Sequence, residues 1–168
     1  MMMVEHKSLR EGITAGLIGA TVVAVWFFVV DLIGGRALYT PSVLGEALMN
    51  VLGPNRGEGT LQHVMLYTVF HYAAFLIVGI IAAAVIHASD TEPSVLAGFL
   101  ILFVAFEIGY YGLTLLLSKS VLGTIAWYQI GVANLLAAVF MGRYLMLAHP
   151  GMVARLDHGL KDSELGSR

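Results

Sequence analysis

Four stretches of the chain, roughly residues 13–35, 64–87, 95–117 and 124–147, consist mainly of Leu, Ala, Val, Ile, Phe and Gly, while charged residues collect between them. Each reaches the ~20 residues that a helix needs to cross ~30 Å of hydrocarbon. The alternation of a barrel strand is missing, so the pattern predicts transmembrane helices. The expected fold is an all-α integral membrane protein: a four-helix transmembrane bundle over residues 1–149, then a polar cytoplasmic tail over 150–168. The connections at 88–94 and 118–123 are short and predict antiparallel neighbours.

The first connection is longer and has a pattern of its own. Thr40-Pro41 reads as a helix N-cap and first helical position. Val43, Leu44, Ala47, Leu48, Val51 and Leu52 then recur at helical spacing until Gly53-Pro54. This predicts a short amphipathic helix over 41–52, lying in the membrane interface because it is too short to span.

Composition agrees with the segment pattern. The chain is 58% hydrophobic and 12% charged over 168 residues, against about 45–50% and about 25% in soluble domains, and its mean hydropathy is +0.84. So much apolar surface exceeds what one small core can hold, which argues against a soluble enzyme or a secreted scaffold. A net charge of -2 leaves no basic surplus for nucleic acid. The absence of cysteine removes thiolate metal sites, thiol catalysis and disulfides. Lys7, Arg10, Arg143, Arg155, Lys161 and Arg168 fall on the side of the termini, and Arg36, Arg56 and Lys119 on the other. This bias predicts that both termini are cytoplasmic, in a plasma membrane of the bacterial inner-membrane type. The first apolar run exceeds the ~7–15 residues of a signal-peptide core, so it is expected to be an uncleaved anchor.

Against this apolar background a few polar residues stand out. The first span has a small-residue ladder, Gly12, Gly16, Ala20 and Ala24, of the kind that lets helices pack closely in lipid, and Asp31 near its outer end. The second has His63, Tyr67 and His71 on one stripe, and the third has Glu107 with Tyr110, Tyr111, Thr114 and Ser118 on one face. Asn134 lies within the fourth. Counting 1.5 Å per residue sets His71, Glu107 and Asn134 at ~13–16 Å from the same surface. They are expected to form one polar layer, with Asp31, Tyr67, Tyr110 and Tyr111 above it. A carboxylate at Glu107 costs on the order of 3 kcal/mol at the bilayer centre unless it is paired, protonated or wetted.

Several kinds of chemistry fit such a layer. The reading that the sequence favours is a non-catalytic subunit or scaffold of a membrane complex, with the layer setting helix register. Its expected partners are the lipid bilayer and other membrane subunits or further copies of itself. Proton or cation conduction through the layer is an alternative. Binding of a metal ion or haem by His71 and Glu107 is another, although Glu-x-x-His and His-Glu-x-x-His spacings are absent. A quinone pocket or other lipid-substrate site is a further possibility. No nucleotide-binding loop or hydrolase motif assigns an enzymatic reaction.

Overall fold

The computed structural model describes residues 2–52, 59–89 and 127–150. Within them the chain forms four helices and no strand: α1 (Met2–Ile33), α2 (Tyr39–Leu52), α3 (Thr60–Ser89) and α4 (Trp127–Ala148). The expected span at 95–117, with Glu107, Tyr110 and Tyr111, and nearly all of the expected tail lie outside the described residues. Three helices are long and apolar enough to cross a membrane, over Lys7–Ile33, Thr60–Ser89 and Tyr128–Ala148. The first begins well before the expected residue 13, because nothing between Met2 and Gly12 breaks the helix and the polar turns simply continue it.

α1 lies between α3 and α4 and runs antiparallel to both. Gly12 faces Ile80, Gly16 faces Leu76 and Ala20 meets His71 along one seam. On its other flank Gly19 meets Met141, and the Trp26 indole N–H donates to the Gln129 carbonyl at 3.0 Å. α3 and α4 touch each other only slightly.

The α1–α3 seam explains most of the small-residue ladder. A Cβ at Gly79 would stand 2.7 Å from the Gly16 Cα, and one at Gly16 would stand 2.8 Å from the Leu76 Cα. Backbone meets backbone here, which is how helices gain contact in lipid when burial from water supplies no drive. Ala24 leaves the pattern and is exposed. The core is correspondingly small-grained: Ala15, Ala20, Ala83 and Ala133 are buried, with Val23, Phe27, Met141 and Leu145 beside them. Leu17, Val25, Phe28, Val69, Ile77, Leu135 and Val139 all face outward, the arrangement expected where the surroundings are apolar.

The α1–α2 junction is a tight corner. Gly35, at φ +68°, closes a Schellman turn: its N–H reaches Leu32 O and the Arg36 N–H reaches Asp31 O. The Asp31 carboxylate then accepts both the backbone N–H and the hydroxyl of Thr40, each at 2.7 Å. Thr40 therefore does not cap α2 itself. The helix starts one residue earlier than Thr40, and Asp31 receives a first-turn N–H that has no partner within the helix. Pro41 sits in the same turn, where a missing N–H costs nothing. α2 packs back on α3, with Gly45 against the His63 backbone.

Candidate metal centre

The helix directions bring the start of α1 and the ends of α3 and α4 to one end of the molecule. Glu11, His87 and His149 meet there. Glu11 Oε2 is 3.7 Å from His87 Nε2 and 3.5 Å from His149 Nε2. One ligand atom from each residue lies within 4.8 Å of the other two. The Glu11 and His149 side chains are only about a tenth exposed, and that of His87 is 18% exposed.

The hydrogen bonds decide what these atoms can do. His87 Nδ1 is 3.0 Å from Ala83 O and His149 Nδ1 is 3.1 Å from Leu145 O, each one helical turn back. A carbonyl oxygen only accepts, so both Nδ1 atoms carry the proton. In the neutral imidazoles each Nε2 is then an acceptor lying 3.5–3.7 Å from a carboxylate oxygen that also only accepts. Glu11 Oε2 and His149 Nε2 are buried without a hydrogen-bond partner. Orphaned buried acceptors are uncommon, and either a proton on an imidazole, giving an ion pair with Glu11, or a metal ion between them would satisfy them.

The spacing fits such a cation. Two ligands bound at ~2.1 Å in tetrahedral geometry stand ~3.4 Å apart, against ~3.0 Å for neighbouring octahedral ligands. The observed 3.5 and 3.7 Å lie nearer the tetrahedral than the octahedral separation and exceed an ordinary hydrogen bond. An Nδ1–H held by a backbone carbonyl is also how a metal-binding histidine is usually oriented. The other carboxylate oxygen, Oε1, faces the exposed Lys7 ammonium at 3.8 Å. The two rings meet edge to face, with centroids 4.7 Å apart.

The described residues among those singled out in the sequence lie elsewhere. His71 is buried in the α1–α3 seam, where its Nε2–H donates to Ala20 O at 3.0 Å. Tyr67 stacks on the His71 ring at 5.6 Å. Asp31 is committed to Thr40, and Asn134 is half-buried on α4. Among the described residues no group of three metal-ligating side chains forms around His71. Nothing in the local sequence distinguishes Glu11, His87 and His149, because each borders an apolar segment, where a polar residue is ordinary. The signal that could have exposed them is topological: one acid at the start of the first span, and one histidine at the end of each span that returns to the same side.

No protein-family model, curated protein or solved structure matches this chain.

Proposed function

We propose that the chain is an integral membrane protein that holds one divalent transition-metal ion of the zinc type through Glu11 Oε2, His87 Nε2 and His149 Nε2. The observation behind this reading is the convergence of two buried, unpartnered atoms, Glu11 Oε2 and His149 Nε2, with the partly buried His87 Nε2, both imidazoles already turned by backbone carbonyls. Two nitrogen donors and one oxygen suit zinc and its neighbours; magnesium and calcium prefer an all-oxygen set. The ion ties the start of α1 to the ends of α3 and α4, and the protein acts as a metal-holding, non-catalytic subunit of a membrane complex.

The membrane arrangement belongs to the same proposal. In it the chain has four spans with cytoplasmic termini in a bacterial-type cell and an interfacial α2; the cytoplasmic side rests on the Lys/Arg bias and α2 on its length, while two features of the described helices support an even number of crossings. α1 begins and α4 ends at one end, and α3 ends there while α4 starts at the other. The metal then lies at the cytoplasmic face.

Elemental mass spectrometry of protein purified in mild detergent without a metal-affinity column tests the reading. About one zinc-type ion per chain is expected, with loss in Glu11→Gln and His149→Ala. Metal-poor protein that also fails to take up zinc on titration overturns it.

A further inference from the structure

At the other end of the molecule α1, α2 and α3 enclose a cavity of about 310 Å³. Its walls include Ala24, Phe27, Phe28, Val64, Tyr67 and His71. That volume is near the lower limit for small-molecule sites and admits one ring with part of a tail. Phe28 and Ala24 are exposed, so the cavity opens sideways from α1, at a level where the surface is apolar.

Most polar groups on the walls are already spent. Asp31 accepts from Thr40, the Thr21 and Tyr72 hydroxyls bond each other at 3.2 Å, and the Thr68 hydroxyl donates to Val64 O at 2.7 Å. His71 differs. Its Nε2–H is held by Ala20 O, which leaves Nδ1 of the neutral ring as an acceptor. No described residue donates to it. A cavity offering so few open polar groups suits water poorly, since a bound water wants two to four partners. It also disfavours an ion. The matching occupant is neutral and flat, with aromatic walls on its faces, an apolar body, and one hydroxyl to give.

We propose that this cavity binds the ring of a quinol-type lipid, with a ring hydroxyl donating to His71 Nδ1 and the tail leaving past Phe28. The inference is independent of the metal centre, which lies at the opposite end of α1. It concerns binding alone, and it makes His71 a ligand-binding residue.

The full-length protein in lipid nanodiscs is titrated, under reducing and oxygen-free conditions, with a decyl-substituted benzoquinol. The matching benzoquinone and decylbenzene serve as comparisons. One quinol per chain is expected to bind about tenfold more tightly than either comparison compound, the factor typical of one hydrogen bond in an apolar site. His71→Leu should bring the quinol down to the affinity of decylbenzene. Ala24→Phe, at an exposed wall position outside the helix seam, should remove binding of all three while leaving metal content unchanged. This second variant keeps the test decisive if His71→Leu does not fold. Equal binding of quinol and decylbenzene, equal binding of quinol and quinone, or an unchanged quinol affinity in Ala24→Phe overturns the proposal.

Discussion

Replacing Gly79 by Ala adds one methyl group where two helix backbones touch. The new Cβ would stand 2.7 Å from the Gly16 Cα and 2.5 Å from the Gly16 nitrogen. Carbon pairs are at rest near ~3.5 Å, so α1 and α3 must part locally by about 0.8 Å. Neither neighbour is the movable tip of a side chain. A gap of that size forfeits roughly a quarter to a half of each contact's attraction along the seam, and overpacking of this kind costs about 1–3 kcal/mol. Alanine also favours the helix over glycine by up to about 1 kcal/mol, which offsets part of the loss. Gly142→Ala isolates that term, because a Cβ at Gly142 meets nothing within 4 Å. The stability of Gly79→Ala should therefore fall about 1–3 kcal/mol below that of Gly142→Ala. Reversible unfolding in mixed dodecylmaltoside and sodium dodecyl sulfate micelles, followed by circular dichroism, measures both. The seam also sets the 3.7 Å between Glu11 and His87, so zinc should bind more weakly to Gly79→Ala and normally to Gly142→Ala. If the two variants are equally stable, the close backbone contact does not hold these helices together.

Variants at two further residues probe the other joints. Asp31→Ala removes the acceptor of two hydrogen bonds at the α1–α2 corner and should cost about 2–4 kcal/mol. Asp31→Asn, which keeps one carbonyl acceptor, should lose about half as much; hydrogen exchange across the first turn of α2 reads the difference, and unchanged protection in Asp31→Ala would contradict the capping role. Trp26→Phe leaves a ring in place but deletes the N–H that donates to Gln129 O. A loss of about 0.5–1.5 kcal/mol in the same unfolding assay is expected, and none at all would mean that this bond adds nothing to α1–α4 packing.

The helices that suit a membrane are legible from the chain's apolar pattern alone. Uninterrupted apolar runs of sufficient length favour helix in hydrocarbon, so α1, α3 and α4 overlap most of the segments at 13–35, 64–87 and 124–147. That pattern also determined the short α2, because apolar residues at helical spacing bounded by Thr40-Pro41 and Gly53-Pro54 define a helix too short to cross. The small residues Gly12 and Gly16 announced a close approach but not its partner. Any helix fits a smooth face, and only the packed pair shows that Gly79 completes it.

Asp31 shows the same limit from the polar side. Its carboxylate could have entered a buried layer, yet the Schellman turn at Gly35 swings Thr40 to within 2.7 Å of it, and it became a cap. The cluster of Glu11, His87 and His149 was the least legible feature. Glu11, His87 and His149 are separated by 76 and then 62 positions in the chain, and each borders an apolar run where a polar residue is ordinary. No local spacing links them. What joins them is the antiparallel docking of α3 and α4 on opposite flanks of α1, together with the Ala83 and Leu145 carbonyls that turn both Nε2 atoms toward one carboxylate. Pattern along a chain determines which segments are helices because that depends on each segment and its solvent; the meeting of three side chains depends on the relative placement of helices, which only packing decides.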